Sequence, residues 1–178
     1  MSGTRLADLP GPTLSVRAFA RLSGLVTRTG PPNLFLTLGR HNRLFWGWLY
    51  FASTLMPRGR LPRRVTEIVI LRVASLGACE YELEHHRRLA QRVGLVRDEI
   101  ADAEHGSGEG KFSAVEKIAM RAAEQLYEEG DLDDETFESL RRHLSEREIV
   151  ELVFLVGHYS MLATAIRALR VQPDRRVR

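Results

Sequence analysis

Arg63-Arg64-Val65-Thr66-Glu67-Ile68-Val69-Ile70-Leu71-Arg72-Val73-Ala74-Ser75-Leu76-Gly77-Ala78-Cys79-Glu80-Tyr81-Glu82-Leu83-Glu84-His85-His86 is the stretch that decides the fold. Val65, Ile68, Val69, Leu71 and Val73 recur at helical spacing, and Pro62 suits a first helical turn, where its missing N–H costs nothing. Gly77 breaks that helix, and a second runs from Cys79 to Val93 with Gly94 placed to stop it. The expectation is an antiparallel helical hairpin of Pro62–Leu76 and Cys79–Val93.

Outward from the hairpin the chain stays helical. A short helix is expected over Leu14–Leu25, before the break at Gly30-Pro31-Pro32. Two aromatic-rich helical pieces follow from Asn33, separated near Gly39–Asn42, and Met56–Gly59 is a loop. Downstream, a short acidic helix near Arg97–Glu104 leads into a glycine-rich connector, Gly106–Gly110. That connector lacks the Lys-Ser/Thr ending of a phosphate-binding loop. Ser113 with Glu116, and Ser145 with Glu148, have the spacing of capping boxes; they open helices to about Glu129 and Leu169. Asp133 is placed to cap a helix over Asp134–Leu144. No segment alternates as a strand does, so the fold class is all-α, a compact helical bundle with a central antiparallel hairpin. Three parts are expected: a flexible N-terminus (1–12), one helical domain (13–170) and a basic tail (171–178).

Composition narrows the function classes. The 178 residues are 44% hydrophobic and 28% charged, a soluble globular balance. Net charge is +3, yet arginine supplies almost all cations, Lys111 and Lys117 being the only lysines. No basic stripe with interleaved aromatics is present, which argues against nucleic-acid binding. One cysteine, Cys79, excludes an intramolecular disulfide. The first ten residues hold no apolar run of the signal-peptide kind. The apolar stretch Ile149–Leu169 contains Glu151, His158 and Arg167, so a buried helix is expected rather than a membrane span. A cytoplasmic location without membrane attachment is the resulting expectation.

The hairpin also gathers chemistry. At about 100° per residue, Cys79, Glu82 and His86 share one helix face, and His85 is turned away from it. Glu67 lies ten residues before Gly77 and His86 nine after, so the two come level once the chain folds back. A carboxylate can fix an imidazole's tautomer and raise its basicity, and the imidazole can then move protons near neutral pH. The same imidazole could draw a proton from the Cys79 thiol. A purely structural hydrogen-bonded cluster is the alternative. A metal site is not expected, because only His86 and Cys79 are strong transition-metal ligands and no second cysteine or His-x-x-x-His supports them. Trp46, Trp48, Tyr50 and Phe51 are expected as core more than as pocket lining. His41 and His158 are expected in structural roles.

On these motifs the chain resembles the carboxymuconolactone decarboxylase and alkylhydroperoxidase-D-like superfamily. The resemblance is carried by Arg-Val-Thr-Glu-Ile-Val-Ile-Leu-Arg-Val-Ala (64–74), Cys-Glu-Tyr-Glu-Leu-Glu-His-His (79–86) and Gly-Leu-Val-Arg-Asp-Glu-Ile (94–100). More loosely it spans Leu34–Leu169, including Phe112–Glu116 and Gly157-His158-Tyr159. It implies catalytic roles for Glu67, Cys79, Glu82 and His86, without metal or organic cofactor, and a homo-oligomer, trimer or hexamer. In the peroxidase branch a Glu, a Cys-x-x-Cys and a His recur; Glu67, Cys79 and His86 match, but Glu82 stands where the second, peroxidatic cysteine would be. The decarboxylase branch has a Glu and a His at the spacing of Glu82 and His86 and acts on a small lactone acid. Three activities stay open: cofactor-free acid–base chemistry on a small carbonyl or lactone compound, a one-cysteine redox reaction, and a non-catalytic oligomeric binding module.

Overall fold

The computed structural model describes residues 4–6, 10–27, 30–106 and 110–174. These form helices and no strands: α1 (Leu14–Thr27), α2 (Asn33–Leu38), α3 (Asn42–Leu55), α4 (Arg63–Leu76), α5 (Glu80–Arg92), α6 (Arg97–His105), α7 (Ala114–Glu128), α8 (Asp134–Arg141) and α9 (Glu146–Leu169). The fold is all-α, as the periodicity implies. The chain divides into two compact units, Met1–Met56 with Ala165–Arg178, and Pro57–Thr164.

The first unit is built on aromatic packing. Phe45 is fully buried, and Phe19, Phe35, Trp46 and Trp48 surround it with centroid separations of 5.1–6.1 Å. Trp48 is half-buried in this aromatic cluster, Trp46 packs at its edge with 37% exposure, and Tyr50 is exposed. His41 caps α3, its Nδ1 accepting the Leu44 N–H at 3.2 Å. Thr4 and Arg5 hydrogen-bond the Leu169 carbonyl, and the Asp174 carboxylate accepts the Asn33 N–H at 2.7 Å. Residues 1–3, 7–9 and 175–178, which fall in the expected flexible N-terminus and basic tail, lie outside the described residues, as do 107–109 of the glycine-rich connector.

In the second unit α4 is the central element. Val65–Leu71, Val73 and Ala74 are all buried, so the helix is enclosed over most of its surface and packs against α5, α6 and α7. Ile68, Leu71, Leu83, Ile100, Phe112 and Met120 form the shared core. Truncating one of the larger of these to alanine would cost about 2–5 kcal/mol. Arginines on α4 and α5 tie the layers together. Arg64 pairs with Glu116 of α7 and Glu99 of α6, Arg72 with Glu124 of α7, and Arg87 of α5 with Glu104 of α6. The paired carboxylates hold the Arg64 and Arg87 guanidiniums above their ordinary pKa, the strongest effect coming from Glu99 and Glu104 respectively.

The hairpin turn differs from expectation in one respect. Gly77 keeps right-handed helical geometry (φ −73°), and the left-handed residue is Ala78 (φ 46°). Cys79 N–H donates to the Ala74 carbonyl and Ala78 N–H to Ser75, which is the Schellman arrangement. Gly77 is needed for space instead: a Cβ there would sit 3.1 Å from the Ala163 Cβ of α9 and 3.3 Å from the Val73 carbonyl. Three boundaries also shift. Pro62 and Cys79 are the residues that precede α4 and α5, not their first turns. α8 stops at Arg141 rather than Leu144. Gly94 (φ 94°) ends α5 by the same Schellman pattern, with Leu95 N–H on Ala90. The Ser113–Glu116 and Ser145–Glu148 pairs both form, and Asp133 caps α8 through the Thr136 N–H. These caps each contribute about 1 kcal/mol.

Candidate active site

Glu67 points from the middle of α4 toward α5 and is fully buried. Its Oε2 lies 2.7 Å from His86 Nδ1, and its Oε1 accepts a hydrogen bond from Arg63 Nη2 at 3.1 Å. The carboxylate is therefore shared between one guanidinium and one imidazole. That contact selects the His86 tautomer: Nδ1–H faces Glu67, which leaves Nε2 to accept or deliver a proton. His85, one residue earlier, is instead half-buried beside Tyr81, with ring centroids 5.1 Å apart.

Glu82 sits one turn before His86 on α5 and is 3% exposed. Neither carboxyl oxygen has a hydrogen-bond partner in normal geometry among the described residues. Burial pushes its pKa up from the ordinary 4.5 to about 8, and the neighbouring Cys79 thiol opposes that rise in part. At neutral pH this side chain is mostly a neutral acid. Cys79 is a free, buried cysteine. As the cap residue of α5 it stands just outside the helix, and its carbonyl accepts the N–H groups of Glu82 and Leu83. The four residues expected from sequence thus all lie in the buried hairpin, with Glu67 and His86 in direct contact and Glu82 beside Cys79.

α9 adds two groups that hairpin spacing could not supply. The Tyr159 ring stands edge-on to His86 with centroids 5.1 Å apart, and His158 stands edge-on to Tyr159 at the same separation. Burial, together with the Glu82 and Glu67 carboxylates at the high pH where a tyrosine titrates and Glu82 is ionised, keeps the Tyr159 hydroxyl protonated well above its ordinary range. Burial and the nearby His86 push the His158 pKa down to about 4, so it is neutral at physiological pH. Arg63 was also not singled out by the hairpin reading. Its signal was present as an Arg four residues before a Glu on one helix.

The site's chemistry follows from these charge states. It combines an ion-paired carboxylate, an imidazole oriented by it, a neutral carboxylic acid, a thiol and a phenol, all buried in the hairpin or against it. That is an acid–base set, in which neutral Glu82 can donate a proton and His86 Nε2 can accept one.

Residues 42–125 match the carboxymuconolactone decarboxylase family. Among curated proteins, no relative matches the chain in sequence. Solved structures of the same fold include an uncharacterized peroxidase-related protein from Silicibacter sp. TM1040, with TM-score 0.85 and 15% identity over 97% of this chain and 93% of that one. A peroxidase-related protein with an alkylhydroperoxidase AhpD core from Ralstonia eutropha JMP134 has TM-score 0.81 and 16% identity over 95% of this chain and 88% of that one. The debrominase Bmp8 has TM-score 0.76 and 19% identity over 94% and 93%. The carboxymuconolactone decarboxylase match thus covers 84 of the 178 residues, and the fold is the one these AhpD-like structures share. At these identities the solved structures establish the shared fold and not a shared reaction.

Proposed function

We propose that this protein is a cofactor-free acid–base enzyme acting on a small carbonyl or lactone compound, with decarboxylation as the favoured reaction. The observation that carries the reading is the 2.7 Å contact between Glu67 and His86, both buried, on the hairpin that also buries Glu82 with no hydrogen-bond partner in normal geometry among the described residues. His86 moves the proton, Glu67 and Arg63 orient it, Glu82 is the acid and Cys79 lines the pocket. When a substrate carboxylate leaves as carbon dioxide, its bonding pair stays on the adjacent carbon, delocalised into the carbonyl. Neutral Glu82 protonates that carbon, and the resulting carboxylate recovers a proton from water by way of His86. Glu82 in place of a second thiol weighs against the peroxidase alternative, because Cys79 alone cannot close an intramolecular disulfide.

The test is a panel of β-keto acids and unsaturated lactone acids, followed by carbon dioxide release and by solvent deuterium entering the product. Turnover should fall about 10²–10⁴-fold in His86→Gln, whose thermal melt is kept as a control for folding. Turnover indifferent to that change would sink the assignment. A second reading is favoured by one observation: Glu67, Cys79, Glu82 and His86 are all between 0% and 6% exposed. On that reading the fold is kept as a non-catalytic binding module. It predicts no His86-dependent turnover on the panel and a Cys79 that resists thiol reagents in the native protein.

A further inference from the structure

In the second unit Arg63, Arg64, Arg72 and Arg87 each pair with a carboxylate. In the first unit Arg17 and Arg21 of α1 have no ion pair among the described residues. They stand one turn apart on the same face of α1, beside the buried row of Val16 and Ala20. Both line a groove of about 460 Å³ that is formed by the first unit alone, with Arg40 as a third cation. Arg40 is already engaged, its Nη1 donating to the Pro10 carbonyl at 3.3 Å, so it adds positive field more than a free donor. Thr37 is buried in the groove wall, and its hydroxyl is spent on the Asn33 carbonyl at 2.7 Å. No acidic side chain is among the described residues that line the groove. Asp174, which accepts the Asn33 N–H at 2.7 Å, is outside the lining. A Cβ on Gly11 would lie 2.6 Å from Arg17 Nη2, so the glycine is what lets that guanidinium rest against the edge of the groove.

We infer that this groove binds a small phosphate monoester, with Arg17 and Arg21 holding the phosphate. Cationic side chains facing one concave surface without a lining carboxylate raise the local potential and favour an anion there. Guanidiniums present N–H donors in a fixed fork, and two of them one turn apart can address one tetrahedral phosphate from adjacent sides. The three terminal oxygens and near-double charge of a phosphate monoester use both; a single carboxylate, with two oxygens and one charge, is served by one. The volume of the groove is typical of small-molecule sites, and Pro12, Pro31 and Leu36 give it an apolar wall. The ligand therefore carries an organic body and is not a bare ion. None of these residues belongs to the hairpin, so the site stands independently of the acid–base reading.

Calorimetric titration of the full chain at low ionic strength tests this, with ribose 5-phosphate, inorganic phosphate, ribose and citrate as probes. Ribose 5-phosphate should bind saturably and more tightly than inorganic phosphate, and ribose should not bind. Arg17→Gln and Arg21→Gln should each weaken the ester about 10-fold, and the two together should abolish its binding. Glutamine has a helix propensity close to that of arginine, and a thermal melt on each variant checks folding. Arg147→Gln, the same charge change at an exposed position of α9, should leave binding unchanged. Absence of saturable binding by both ribose 5-phosphate and inorganic phosphate overturns the proposal. So does binding that Arg147→Gln weakens as much as Arg17→Gln, which would reveal diffuse charge attraction and no site. Inorganic phosphate that binds as tightly as the ester overturns the organic body. Citrate that binds more tightly than the ester, and is lost in the Arg17 and Arg21 variants, assigns the groove to polycarboxylates and overturns the phosphate.

Discussion

Replacing Glu82 by Gln should remove a stability loss that the native protein suffers as pH rises. The folded carboxyl titrates at about 8, against 4.5 in the ordinary exposed state. Between those values the folded state keeps a proton that the unfolded chain has released. Stability therefore falls with rising pH across this window, by up to about 1.4 kcal/mol per pH unit, and the loss is complete above pH 8. His158 works in the opposite sense. Its folded pKa of about 4 lies below the ordinary 6.5, so its contribution grows as pH rises from 4 to 6.5 and is constant above. The two slopes nearly cancel where the windows overlap. Above about pH 6.5 only Glu82 remains, and over the remaining 1.5 units it should cost about 2 kcal/mol. Exposure of only 3% leaves little solvent screening to reduce this. Urea unfolding of the native protein and of Glu82→Gln, at matched ionic strength between about pH 6.5 and 8, reads the effect directly. The native midpoint should drop with pH while the variant's stays level. The buried amide shifts the variant's absolute stability, so the slope is the observable. Parallel slopes would refute the claim that Glu82 is held neutral by burial.

The acid side gives the complementary outcome: His158→Phe should lose less stability than the native protein between pH 6.5 and 4, by up to about 3 kcal/mol, in the same urea series. Where a substrate is found, His85→Gln should retain turnover that His86→Gln loses, since only His86 contacts Glu67; steady-state kinetics on both folded variants decides it. Cys79→Ser should leave His86-dependent turnover within about 10-fold of native, whereas abolition would make the thiol the reacting group. Ala78→Gly should stabilise the protein by about 0.5–1 kcal/mol, because the left-handed turn position suits glycine; a lowered melting temperature would contradict the Schellman assignment.

The legibility of the hairpin has a physical reason. Pro62, Gly77 and Gly94 mark its boundaries, and the apolar period between them is helical, so local rules were sufficient. Even the Glu67–His86 contact follows from counting residues back from the turn. Gly77 does end α4, as its place in the sequence implies, but it does so without taking the left-handed conformation. Its real constraint, the Ala163 methyl from α9, lies 86 residues away in sequence and has no local signal. Tyr159 and His158 were legible as residues, but their place beside His86 was not, for the same reason. α9 is apolar on all sides, so periodicity could not tell which face meets the hairpin. Glu82 is the opposite case: its position was legible, but its charge state depends on burial and on the absence of a conventional hydrogen-bond partner.

The contrast between Glu67 and Glu82 bears most directly on function. Both are buried carboxyl groups lying one helix apart. Glu67 has a guanidinium and an imidazole in contact, so its negative charge is compensated inside the fold. Glu82 has no such partner, and burial makes its proton hard to lose. A structural role alone would be served better by an amide or an apolar side chain of similar size, since an uncompensated buried carboxyl weakens the protein at neutral pH. One buried carboxyl kept neutral and another in contact with an imidazole are the arrangement that separates a proton donor from a charge that holds the base in place. That separation is unnecessary for a thiol peroxidase and useful for protonating carbon. For this reason acid–base chemistry, and not redox chemistry at Cys79, is the reading the buried groups favour.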